Sequence, residues 1–226
     1  KLQYQLASLQ KNREMLEVVL TSAQGRQSQG MATYAEVLTA QQNLQNADAQ
    51  IAALQSQIET ARQSMIVMMG WSQGAFPEIR PMPATDVERI AAMDVEKDTP
   101  KALEADYTLR LHQRNLENAT NDENRKIYRQ SIEDDKQQIA MAVSNTYQSV
   151  IQARNSYDEA VMNLSVTTKN WNTANTKFQL GTISRLEFLQ AEAEMVSAQM
   201  DVEVKNLELF QAMETYDWAL KGNLSL

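Results

Sequence analysis

The chain has 226 residues, 43% hydrophobic and 22% charged, with 6 glycines, 4 prolines and no cysteine. Average usage would give roughly 27 Gly plus Pro in a chain this long, so the deficit excludes sandwiches and barrels, which need a turn residue every 8–12 positions, and the missing cysteines exclude a disulfide scaffold. A net charge of −8 repels phosphate backbones and argues against nucleic-acid binding.

Glycine and proline punctuate the chain in order. An arm over 1–24 leads to a tip near 25–31, marked by Gly25 and Gly30, and a second arm runs over 32–69. All four prolines fall in 77–100, within an irregular connector over 71–100. That connector has room for a short strand around Glu78–Met82. Asp98-Thr99-Pro100 reads as a helix start, with Thr99 as cap and Pro100 at the first helical position. No Gly or Pro interrupts 101–176, which reads as one very long arm apart from a polar stretch at Asn118–Asn124, where the helix either breaks and re-caps at Thr120 or Asn121, the favoured reading, or continues through a solvated turn. A tip near 177–182 and an arm over 183–221 complete the chain.

The arms carry apolar residues at alternating spacings of three and four, the coiled-coil condition. The first arm has Leu2, Leu6, Leu9, Leu16, Leu20 and Ala23, with Arg13 as its lapse. In the second the stripe is Val37, Ala40, Leu44, Ala47, Ile51, Leu54, Ile58, Ala61, Met65 and Met68. A shift of 151 residues brings Gly30 onto Gly181 and carries both stripes onto later ones. The first lands on Ala153, Tyr157, Ala160, Leu164, Thr167, Trp171 and Ala174; the second on Phe188, Ala191, Met195, Ala198, Val202, Leu209, Ala212, Tyr216 and Ala219, failing at Lys205. Glu36 meets Glu187 and Leu38 meets Leu189. Sliding any two coiled coils reproduces stripes, but it does not place glycine at both tips with equal arms; this is an internal repeat. The expected fold is therefore all-α: two tandem, long, antiparallel coiled-coil hairpins, 1–70 and 101–222, joined by the connector. An arm of about 38 residues spans roughly 57 Å. A second apolar file, Val143, Tyr147, Ile151 and Val161, points to a second packing partner: the other hairpin, a neighbouring subunit, or the interior of a four-helix bundle.

Catalytic chemistry finds little support. His112 has no nucleophile or ligand pattern around it and reads as a helix-surface histidine. Asp134-Asp135 and Glu192/Glu194 read as solvated faces outside any pocket. Met65, Met68 and Met69, with Met82 and Met93 in the connector, offer soft sulfur suited to Cu(I), but they read as core fillers. Trp71, Trp171 and Trp218 read as packing residues. No enzyme activity, cofactor or metal is expected. No run of about 18 apolar residues is present, so no membrane-spanning helix is expected. Lys1-Leu2-Gln3-Tyr4 already follows the helical pattern, so the chain reads as a processed or trimmed piece.

Lys177-Phe178-Gln179-Leu180-Gly181-Thr182-Ile183-Ser184-Arg185-Leu186-Glu187-Phe188-Leu189-Gln190-Ala191-Glu192 resembles the hairpin-tip signature of TolC-like outer-membrane efflux proteins. Ser28-Gln29-Gly30-Met31-Ala32-Thr33-Tyr34-Ala35-Glu36-Val37-Leu38-Thr39-Ala40-Gln41 resembles the same signature in a first copy; Met68-Met69-Gly70 resembles the family's closing residues, and Leu220-Lys221-Gly222 is a looser match. The resemblance implies a trimeric, tandemly duplicated duct in the cell envelope. It also implies docking to a periplasmic adaptor, a membrane fusion protein, fed by an inner-membrane pump. It places the docking at the tips, on Gln29, Gly30, Met31, Leu180, Gly181 and Thr182. One departure stands out. The family inserts membrane strands between the first and the long descending helix of each repeat, and here Asn118–Ile132 has no room for two strands of 9–11 residues. A barrel-less homologue serving as an envelope spacer or adaptor module is the alternative reading. Two tandem hairpins speak against a third, the single α-hairpin of a membrane fusion protein itself.

Overall fold

The computed structural model describes residues 1–72, 74–75, 77–78, 85–86 and 88–223. Among these it has helices α1 (Leu2–Ser28), α2 (Tyr34–Met68), α3 (Glu88–Ala91), α4 (Val95–Ala105), α5 (Tyr107–Glu117), α6 (Asp122–Gln179) and α7 (Arg185–Leu220), and no strand. The all-α expectation holds. Glu78 is in no strand, and the rest of the expected strand, residues 79–82, lies outside the described residues.

α1 folds back along α2. Arg13 and Asp48, seventeen residues before and eighteen after Gly30, meet across the pair at 2.6 Å, which fixes an antiparallel register. The lapse at Arg13 is thus an ion-paired position, shared with Glu17 at 2.9 Å. Lys205, the lapse in the second repeat, is ion-paired too, with Glu208 one turn on within α7 at 3.0 Å. α6 and α7 also run back to back: Phe178 stacks on Phe188 with centroids 4.9 Å apart, and Tyr147 meets Tyr216 at 6.1 Å.

The stripes are the buried faces, with one drift. Along α2 every stripe residue from Val37 to Ile58 is buried or half-buried, but Ala61 and Met68 are exposed and Ile66 is buried instead. A 3.6-residue helix rotates about 20° per heptad against a 3.5 repeat, so by the fifth heptad the inward position has moved on by one residue.

Two compact units are formed, one from Lys1–Met82 and Glu159–Val204, the other from Pro83–Asp158 and Lys205–Leu226. The first is closed mainly by small residues: Ala40, Ala47, Ala160 and Ala198 are buried along with Val37, Ile66 and Leu189, and α1 has no fully buried residue. The second has a dense core of Leu109, Ile139, Val143, Val150, Leu209, Met213 and Tyr216, each 2% exposed or less. Tyr147 and Ile151 pack against it, so most of the second apolar file serves this core, while Val161 is left exposed.

The arm expected over 101–176 is three helices. α4 begins earlier than expected, at Val95, because the Asp94 carboxylate accepts the N–H groups of Glu96 and Lys97; Thr99 is not the cap. Pro100 therefore lies inside α4. Its missing N–H leaves the Glu96 carbonyl without a helical donor and its ring crowds that carbonyl; Glu96 is exposed, so water can reach the freed acceptor. Asp106 then ends α4 and starts α5: its backbone is extended and its side chain accepts from the Leu109 N–H at 2.7 Å. The break at 118–121 follows expectation, with Asn121 accepting from the Asn124 N–H at 2.7 Å.

Two contacts lock the second unit. Buried Asp98 accepts from the Tyr216 hydroxyl at 2.8 Å, from Lys101 at 2.6 Å and from the Asp94 N–H. Burial pushes this carboxyl up, but the bonds from Lys101, Tyr216 and Asp94 outweigh it and hold it below the ordinary 3.8. Burial and the bond to Asp98 push Tyr216 up. Gly222, at φ +77°, abuts the α4–α5 break so closely that a Cβ would stand 2.6 Å from the Ala105 carbonyl oxygen. The connector is tied to α7 as well, Thr85 N–H donating to Asn206 Oδ1 at 3.0 Å and Arg89 pairing with Asp217.

Tyr216→Phe should cost about 1–2 kcal/mol in denaturant unfolding. Asp98 is depressed, so its contribution is complete above the ordinary carboxylate value and is lost as pH falls through the lowered one; in the Phe variant that acid loss should set in at higher pH. Gly222→Ala should cost about 2 kcal/mol or more, since it adds a backbone clash to the left-handed strain. Gly30→Ala and Gly181→Ala, with nothing within 4 Å of their Cβ positions, should cost about 1 kcal/mol each.

Candidate functional site

The tips are built alike. In the first, the Gly30 N–H donates to the Gln27 carbonyl at 2.9 Å and the Met31 N–H to the Arg26 carbonyl at 2.8 Å. In the second, Gly181 donates to Phe178 and Thr182 to Lys177, both at 2.9 Å. This is the Schellman ending, which needs a left-handed residue after the last helical turn; Gly30 has φ +73° and Gly181 φ +70°. Gly70 and Gly222 close α2 and α7 in the same way, with Trp71 donating to Ile66 and Asn223 to Trp218. The reversals themselves occupy 29–33 and 180–184, and Gly25 lies inside α1.

The next helix starts at once. Thr33 Oγ1 accepts from the Glu36 N–H at 3.2 Å, and Ser184 Oγ accepts from the Glu187 N–H at 3.2 Å. Glu187 reciprocates, accepting from the Ser184 N–H and hydroxyl, both at 2.8 Å, which completes a capping box. The Ser184 backbone N–H, then its hydroxyl, hold the Glu187 carboxyl below its ordinary 4.5. Glu187, the acid of the second tip signature, is thus a helix-start device, while Glu36 contributes its backbone N–H. Thr33 and Ser184 stand 151 residues apart, as do Glu36 and Glu187, so the S/T-x-x-E spacing carried this signal in the sequence.

Of the six residues singled out at the tips, Gly30 and Gly181 make the turns and face open space. Met31 and Leu180 present bare apolar side chains, 62% and 72% exposed, and Tyr34 is 71% exposed beside Met31. Gln29 and Thr182 are exposed, the Thr182 hydroxyl donating to the Lys177 carbonyl at 2.9 Å. Both tips belong to the same compact unit.

Other candidates fall differently. His112 is half-buried rather than on the surface, with Nδ1 2.6 Å from an Asp135 oxygen, and clips α5 to α6; Asp135 is therefore not a solvated face. Glu192 pairs with Lys11 at 2.8 Å, α7 to α1. Glu194 does line a pocket. A groove of about 870 Å³ lies among residues 4–15 of α1, 50–57 of α2 and 190–204 of α7, all within one unit. Met65 is half-buried, but Met68 and Met69 are exposed and fill no core; Met82 lies outside the described residues. Trp171 is half-buried on the stripe, whereas Trp71 and Trp218 are largely exposed rather than packed.

Three solved structures share this fold. CusC, whose structures describe conformational changes on folding and transmembrane channel formation, is matched over 98% of this chain and 74% of its own at 15% identity, with a TM-score of 0.66. The chain has a helical fold found in a channel protein. The outer-membrane channel OprN matches over 97% of this chain and 64% of its own (15% identity, TM-score 0.50). The outer membrane protein VceC of Vibrio cholerae matches over 97% and 67% (12% identity, TM-score 0.52). These neighbours belong to the TolC family, so the resemblance read from the tip motifs is matched at the level of fold. No family model matches the sequence, and no curated protein does. Among the described residues no helix is long and apolar enough to cross a membrane.

Glu187→Gln should speed exchange of the Ser184 amide several-fold in hydrogen-exchange measurements. Because Glu187 is depressed, its cap acts fully above 4.5 and is lost as pH falls through its lowered value; in the Gln variant that acid dependence should vanish.

Proposed function

We propose that this chain is the helical part of a TolC-like export duct in the cell envelope, a periplasmic portion of an outer-membrane-associated protein. It works as a passive conduit. An inner-membrane pump supplies the energy, and a membrane fusion protein docks on the tips through Gln29, Gly30, Met31, Leu180, Gly181 and Thr182. The observation that carries this reading is the pair of matching reversals 151 residues apart, each with an open glycine and an exposed apolar side chain, on a fold shared with outer-membrane channels. A bare glycine turn lets another helical end approach the backbone, and the neighbouring Met31 or Leu180 supplies apolar area to bury. Exposed apolar residues elsewhere, such as Val67 and Met68 on α2 and Met162 and Val166 on α6, support lateral packing of three copies. No step in the reading requires covalent chemistry.

One observation favours the barrel-less alternative, an extracytoplasmic spacer or adaptor module. Only Asn118–Asn121 link α5 to α6, where the family resemblance places membrane strands.

Light scattering at several concentrations separates the two. The duct requires a species of three times the 25.6 kDa chain mass; a mass that stays at one chain throughout overturns it and leaves the spacer. Gly30→Trp with Gly181→Trp should abolish adaptor binding in a pull-down while circular dichroism stays unchanged. Undiminished binding would remove the tips from the docking role.

A further inference from the structure

The groove among α1, α2 and α7 is not used by either reading above. Its volume of about 870 Å³ falls within the range of small-molecule sites. Much of its lining is apolar or polarizable: Tyr4, Leu9 and Met15 from α1, Leu54 from α2, Met200 and Val204 from α7. Among the lining residues the charged ones are Glu194 and Asp201, and none is a lysine or arginine. On α1, Lys11 is already held by Glu14 and Glu192, and Arg13 by Glu17 and Asp48. Glu194 and Asp201 stand seven residues apart on α7, hence on one face and about 10 Å apart along the axis. Neither makes an ion pair or hydrogen bond among the described residues. The Tyr4 hydroxyl is engaged by Glu203 at 3.3 Å, which holds the ring at the groove.

A trough that mixes apolar side chains with hydroxyls and with neutral amides such as Gln5, Asn12, Gln50 and Gln57, and whose charged lining residues are carboxylates on a single wall, selects its occupant by charge and by apolar surface together. An anion is repelled, and a small hydrated cation gains nothing from the thioethers and the tyrosine ring. A bulky organic cation gains from both, through the carboxylates and through contact with polarizable sulfur and an aromatic face. We propose that this groove is a binding site for organic cations bearing apolar substituents. The proposal does not depend on the duct or on the tips.

The test is equilibrium dialysis of the full chain against tetraphenylphosphonium and, separately, tetraphenylborate, which have nearly the same shape and opposite charge. Saturable binding of the cation, at least tenfold tighter than the anion and weakened by salt, is expected. Glu194→Gln with Asp201→Asn should lower cation affinity at least fivefold and remove the preference over the anion. Ser197→Trp, an exposed position in the groove, should weaken both ions by filling the space, with helicity checked by circular dichroism. Absence of saturable cation binding, equal affinity for the two ions, or cation affinity unchanged in both variants overturns the site. A failure to trimerise bears on the duct alone.

Discussion

Everything in this molecule depends on ending long helices cleanly without breaking the seam that holds them. A helix leaves its last carbonyls without donors, and a chain that must reverse within about five residues has little room to satisfy them. A left-handed residue solves this by turning two following N–H groups back onto the last turn. Four glycines do so here, at 30, 70, 181 and 222, and no other residue has positive φ among those described. The four divide into two pairs, tips and closings, and the duplication is visible in backbone dihedrals as well as in letters.

The seam was legible because its signal is additive. Each position contributes little, but ten positions at three-and-four spacing leave few alternatives. The residues on the repeated stripes of α6 and α7 are buried or half-buried, Thr167 and Lys205 included. What escaped was local. Asp94 beats Thr99 as a cap because a carboxylate can accept two N–H groups at once. Asp106 breaks an arm free of Gly and Pro, because a buried carboxylate that caps Leu109 offsets one lost turn. Both are aspartates in a helical pattern, and pattern alone does not say which aspartate will turn inward.

The site was legible to a similar depth. The glycines and their flanks were found from spacing. The Thr33–Glu36 and Ser184–Glu187 caps were half seen, as a matching pair of acids. The Asp98–Tyr216 bond and the groove were invisible, since each needs segments far apart in sequence: Asp98 and Tyr216 are 118 residues apart. Lone polar letters acquire meaning only when the fold brings their partners to them.

The alanine-rich closure of the tip-bearing unit has its own consequence. A methyl group removes little area from water, so each buried Ala40 or Ala198 adds far less cohesion than the Leu209 or Met213 of the other unit. The tip-bearing unit thus has the smaller apolar reserve against local opening, although the Phe178–Phe188 stack and buried Leu189 hold α6 to α7 there. The unit that carries both reversals therefore has less apolar cohesion to lose when a turn adjusts to whatever it meets.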